Sequence, residues 1–169
     1  MYDQPKYEPY ERSEFFQDNK SARLPVPGTV ARSQNQPNAA LQTGQVNGQP
    51  VDALPMPVTR ALLQRGQDRY NIFCSVCHGL AGYGDGEIVQ RGFSPPPNVH
   101  TEQLRNLPNG KMFDVITNGY GAMYPYGDRV TPEDRWAIIA YIRALQLSQN
   151  ATINDVPADQ RANIQGAAR

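Results

Sequence analysis

Apolar residues recur with a helical period in three stretches of this chain. Leu62, Leu63, Gly66, Tyr70 and Phe73 fall on one side at i, i+3, i+4 spacing, which predicts a helix over 58–74 with Thr59 as its N-cap. Met112, Val115 and Ile116 share a face and predict a second helix over 109–118, with Gly119 where a left-handed C-cap is expected. The third helix starts with Thr131 as N-cap, Pro132 at N1, and Glu133 and Asp134 in the first turn, where the helix dipole favours negative charge. Its apolar stretch opens with Trp136, Ala137, Ile138 and Ile139, and the helix is predicted to end at about residue 149. Gly- and Pro-rich loops over 79–86 and 94–98 separate these elements, and no alternation predicts a strand.

Outside 58–149 the pattern is different. Residues 1–57 carry eight prolines and a polar stretch from Ser33 to Asn38, and their apolar residues have no period, so no face is predicted to pack a core. Two readings of this segment stand: a disordered leader, or an extended arm that orders on larger partners. The aromatic residues Tyr2, Tyr7, Tyr10, Phe15 and Phe16 favour the arm, because disordered segments are poor in such anchors. Residues 150–169 read as a polar tail with at most a short helix after Pro157. The expected architecture is all-α: a small helical domain over 58–149, a long extended N-terminal arm and a short C-terminal tail.

Charge narrows the function classes. The 169 residues hold 16 basic and 16 acidic side chains, a balance that argues against nucleic acid as a partner. The longest apolar run, residues 136–142, is far below the roughly 20 residues needed to cross a bilayer. The 58–149 segment is itself near neutral, with nine basic and eight acidic residues. A freely diffusing carrier often displays a one-sign patch that speeds encounter, so neutrality together with a long arm points to permanent docking.

Both cysteines lie in one motif, Cys74-Ser75-Val76-Cys77-His78, the C-x-x-C-H pattern of c-type haem attachment. Two thiols three residues apart at a helix end can each bond one haem vinyl group, which leaves the adjacent His78 to ligate the iron. A redox C-x-x-C would want a βαβ setting, and a structural zinc site four ligands; the chain has two Cys and two His. The second axial ligand then comes from Met, His or nothing. Met112 lies on the apolar face of its helix and reads as core. His100 reads as a surface or hydrogen-bonding residue. Met123 lies in a loop 45 residues after His78, just before the last helix, and is the expected distal ligand. Phe73, Leu80, Phe93, Val99, Leu104, Met112, Ile116, Trp136 and Ile139 are candidates to line the pocket. With so thin a core, the domain is expected to fold poorly without its cofactor. Gly82-Tyr83-Gly84-Asp85-Gly86 follows no strand and lacks the ending of a phosphate loop, so its glycines are read as letting backbone approach the haem plane. The Pro95-Pro96-Pro97 run is read as part of the proximal side rather than as a polyproline ligand.

This arrangement over 58–149 resembles a class I type monohaem cytochrome c. The resemblance implies that Gly66 and Tyr70 cross the last helix at Ile138 and Tyr141, and that the Pro97 carbonyl, or that of Pro96, accepts from the proximal histidine's second nitrogen. A narrower resemblance rests on the arm (Tyr2 to Tyr10, Ser13 to Phe16, Ser21 to Arg32), on Asn118-Gly119-Tyr120-Gly121-Ala122-Met123 and on the final helix. These are similar to the monohaem cytochrome c subunit of bacterial alternative complex III, a membrane quinol oxidoreductase that passes electrons toward a terminal oxidase or another cytochrome c. That resemblance implies a peripheral position on the periplasmic side of the inner membrane. It also implies a multihaem cytochrome, an iron–sulfur protein and integral membrane subunits as partners, with no substrate chemistry of this subunit's own. The family's precursors carry a signal peptide and a lipidated cysteine, so such residues are expected upstream of Met1. A free periplasmic shuttle and an open-site haem enzyme or sensor are the competing readings.

Overall fold

The computed structural model describes residues 4–29 and 38–161. They fall in separate compact units, Met1–Gln36 and Pro37–Arg169. The first is a turn structure rather than a helical one. Arg12 bridges Lys20, Ser13 N donates to Asn19 O at 3.2 Å, and Arg23 lies 4.2 Å over the Phe16 ring while pairing with Asp18. Tyr7, Tyr10 and Phe15 are exposed, whereas Tyr2 and most of the polar stretch from Ser33 lie outside the described residues.

The second unit is mostly helical, as expected. Its elements are α1 (Ala39–Thr43), the strands β1 (Gln45–Val46) and β2 (Gln49–Pro50), α2 (Arg60–Phe73), α3 (Ser75–His78), α4 (Glu87–Gln90), α5 (Glu102–Arg105), α6 (Asn109–Asn118) and α7 (Pro132–Asn150). A 3-10 turn, Ile153–Asp155, follows, and residues 162–169 of the tail lie outside the description. No helix among the described residues is long and apolar enough to cross a membrane.

The caps behave as the sequence predicts at α2 and α7. Thr59 Oγ1 accepts from Leu62 N at 3.1 Å, and Thr131 Oγ1 from Asp134 N at 3.3 Å, each satisfying a free donor of a first turn. Gly119 differs from expectation: its φ of 79° is positive, but its ψ of 169° is extended, so the chain leaves α6 straight into a loop. Helices α2 and α7 cross at Gly66, where an added Cβ would lie 2.0 Å from the Ala137 carbonyl oxygen and 3.0 Å from Tyr141 Cβ. The Tyr70 and Tyr141 rings meet alongside at 5.4 Å. Tyr141 is thus a partner of this crossing as implied, while the close approach is to the Ala137 backbone rather than to Ile138. Arg65 adds a bidentate pair to Asp134 across the same two helices, at 2.7 and 2.9 Å.

Residues 38–57 correct the expectation that nothing before 58 can pack. Leu41, Val51, Leu54 and Met56 lie against the core of Tyr70, Met112, Phe113, Ile116, Trp136, Ile138 and Ile139. Trp136 Nε1 donates to Leu41 O at 2.8 Å, and Gly110 N donates to Val51 O at 2.7 Å. A two-residue turn makes this possible: Asn47 and Gly48 both have positive φ, 51° and 75°, which is what a type I′ hairpin demands. These apolar residues lack a period because they meet the core one at a time from a hairpin and a short helix, not along one helical face.

Candidate functional site

The C-x-x-C-H motif occupies the joint between α2 and α3. Cys74 ends α2 and begins α3 with helical angles, φ −111° and ψ −40°, and His78 N donates back to Cys74 O at 2.9 Å. The two thiols therefore sit about one turn apart on one short helix. They are unpaired and half-buried. Burial, reinforced by Cys77, pushes the Cys74 thiol up to about 12, so it stays protonated at neutral pH. Burial lowers the pKa of His78 and keeps its imidazole neutral, the form that binds a metal. His78 Nδ1 is buried with no hydrogen-bond partner. An orphaned buried polar atom costs about 1–3 kcal/mol and calls for a reason.

The segment after the motif folds back onto it. Gly84 N donates to His78 O at 2.8 Å, and Gly86 N to Cys77 O at 3.1 Å. Gly84 has φ +83°, and a Cβ there would stand 2.4 Å from the Pro96 carbonyl oxygen. So Gly84 and Gly86 meet protein backbone, the proline run and the motif, and Gly82 meets the Val99 side chain, where the sequence predicted approach to a haem plane. The buried Tyr70 hydroxyl donates to Gly79 O at 2.8 Å. Burial raises the pKa of that phenol, which keeps the donor in place. Pro97 is exposed, and the expected bond from His78 Nδ1 to a proline carbonyl is not formed.

His100 is a hydrogen-bonding residue, as read from the sequence. Its Nε2 lies 2.7 Å from Ala81 O and its ring 4.8 Å from that of Tyr83. Two side chains that sequence reasoning missed fasten this proximal segment to α7. Gln146 Nε2 donates to Val99 O at 2.7 Å, and Arg143 donates to the carbonyls of Leu104, Arg105 and Leu107 and to Asn109 Oδ1. They follow the apolar stretch of α7, where a polar residue reads as solvent-facing unless its tertiary partners are known.

Met123 lies in the loop between α6 and α7, half-buried, and packs on the same core cluster as Phe73 and Cys74. Met112 is core, as expected. In the same loop the pKa of the Tyr126 phenol is raised by burial first and then by Cys77 and Cys74.

These residues fit a covalently held haem. Two free thiols about one turn apart precede a neutral, half-buried imidazole whose buried Nδ1 lacks a partner. Among the candidate lining residues, Leu80 and Phe93 are 70% and 66% exposed, large apolar side chains that no described residue covers. Trp136 differs: it stacks on Phe113 at 4.8 Å and is fully committed to the protein core. Among the described residues no group of three or more His, Cys, Asp or Glu side chains is placed to hold a metal ion.

Residues 61–142 match the family model described as cytochrome C oxidase, cbb3-type, subunit III. Comparison with curated proteins returns no match. Among solved structures, a chain of a reducing HAO-like protein complex from Kuenenia stuttgartiensis superposes with a TM-score of 0.48 at 21% identity, covering 63% of this chain and 53% of that one. Residues 61–142 thus resemble a cytochrome c family, one that implies covalently bound haem c.

Proposed function

We propose that this protein transfers electrons as a fixed subunit of a membrane quinol oxidoreductase of the alternative complex III type, on the periplasmic side of the inner membrane. The observation that carries electron transfer is the pair of free thiols next to a half-buried His78 whose imidazole is neutral, within a stretch that matches a cytochrome family model. Bound there, one haem c supplies a one-electron couple, and His/Met ligation places that couple at higher potential than other axial sets. Cys74 and Cys77 would tether it covalently. His78 would bind the iron; the Pro97 carbonyl, which the resemblance makes the partner of its Nδ1, does not accept from it in this fold. Met123 would supply the other iron ligand, and an iron held by both side chains would carry electrons rather than bind a substrate.

Assignment to the complex rests on the arm and on the Met-loop and α7 sequences, with the near-neutral charge of the domain in support. The partners are then a multihaem cytochrome, an iron–sulfur protein and integral membrane subunits, with a terminal oxidase or another cytochrome c as acceptor. Purification of the native protein from solubilised membranes tests this: it should co-elute with a multihaem cytochrome and with quinol-oxidising activity. A monomeric, redox-active protein in the soluble fraction would instead make it a free shuttle. Rapid carbon monoxide binding by the reduced protein would mark an open haem site.

A further inference from the structure

Arg135 is a buried cation that the electron-transfer reading does not use. It is 5% exposed, and no carboxylate pairs with it among the described residues. Its guanidinium serves three acceptors at once: Nε donates to Val130 O at 2.9 Å, Nη2 to Gly127 O at 3.2 Å, and Nη1 to Thr117 Oγ1 at 2.7 Å. Its plane lies 4.8 Å from the centre of the Phe113 ring. Thr117 in turn donates to Phe113 O at 2.6 Å, so its hydroxyl is engaged on both sides.

These contacts gather both ends of one loop. Residues 119–130 leave α6 at Thr117-Asn118 and enter α7 beyond Val130. At the base, Tyr126 N donates to Ile116 O and Gly127 N to Thr117 O, at 2.9 and 3.1 Å. At the tip, Tyr120 and Met123 exchange two backbone hydrogen bonds, while Tyr120 and Tyr124 stand exposed. Apart from Met123, which packs on the core, the tip has little burial of its own, and the base holds it at both ends. A planar fork with fixed donors suits three converging acceptors; a lysine could not reach all three together.

We propose that Arg135, through Thr117, clasps this loop and so sets how often Met123 leaves its position. The inference rests on Met123 being the second axial ligand. Breaking the clasp raises the population of the open loop, and an external ligand that binds only when the loop is open gains apparent affinity in proportion.

The test is imidazole titration of the purified haem-loaded protein, followed by absorption, for wild type, Arg135→Gln, Thr117→Val, Thr117→Ser and Met123→Ala. Losing a charge-assisted hydrogen bond should raise imidazole affinity about tenfold in Arg135→Gln and Thr117→Val. Thr117→Ser, which keeps the hydroxyl, should match wild type. If Arg135→Gln does not accumulate, the two Thr117 variants decide. Unchanged affinity in Thr117→Val, with or without a lower unfolding temperature, overturns the clasp, provided that Met123→Ala binds imidazole more tightly than wild type. Wild type without a sulfur-to-iron band, and unaltered by Met123→Ala, removes the ligand assignment itself and the clasp with it.

Discussion

Two parts of the helical unit are built on opposite principles. Where α1, α6 and α7 meet, Trp136, Phe113, Ile138 and Ile139 are fully buried, the indole N–H has its carbonyl, and the core is complete from protein atoms alone. Around residues 74–100 the backbone is as tightly bonded, yet Leu80 and Phe93 lie open and both His78 and His100 keep a buried Nδ1 without a partner. Apolar surface left open forgoes the stabilisation of burial, so the second part has room for something further. The difference places the proposed cofactor where apolar side chains are left open.

The largest effect should come from removing the tether. Cys74→Ala with Cys77→Ala is expected to yield a colourless chain with most of its cooperative unfolding transition lost, as judged by haem stain and thermal circular dichroism. A cooperative, colourless protein would show that the second part also closes by itself. Gly66→Ala comes next: with the Ala137 carbonyl oxygen 2.0 Å from the new Cβ, helices α2 and α7 must separate, at a cost of about 3 kcal/mol in denaturant unfolding. An unchanged midpoint would mean that the crossing is slack.

Trp136→Phe sharpens the contrast from the closed side. It removes the bond to Leu41 O and leaves that carbonyl unpaired, for about 1–3 kcal/mol, and amide exchange should quicken over 38–57 while the haem spectrum stays the same. Asp114 should give the smallest effect. Its bond from Lys111, then that from Asn118, holds its carboxyl below the usual 3.8. Because the folded value is depressed, the contribution is present above about pH 4 and fades as pH falls through the folded value. Asp114→Asn should therefore lower the unfolding temperature slightly at pH 7 and not at pH 2.

What the sequence made legible follows the same division. Local signals carried α2, α6 and α7: Thr59 and Thr131 cap as read, and 109–118 matches the observed α6. The C-x-x-C-H motif is local too, and it lands as expected at the end of α2. Residues 38–57 escaped because their apolar side chains reach the core singly, although Asn47-Gly48 is a hairpin signal that could have pointed there. Arg135, Arg143 and Gln146 escaped for a related reason. Each is a polar residue on α7 whose backbone-carbonyl partners lie 5 to 47 residues away, and nothing nearby in sequence shows that those carbonyls await a donor.

The account stands on one attachment, and one peptide reports on it. Trypsin cutting after Arg69 and Arg91 releases residues 70–91 with both cysteines and His78. Mass spectrometry of that peptide from the native protein should show the mass of the chain plus one haem, retained in denaturant. A peptide carrying two free thiols, or a disulfide between Cys74 and Cys77, would contradict the account at its centre.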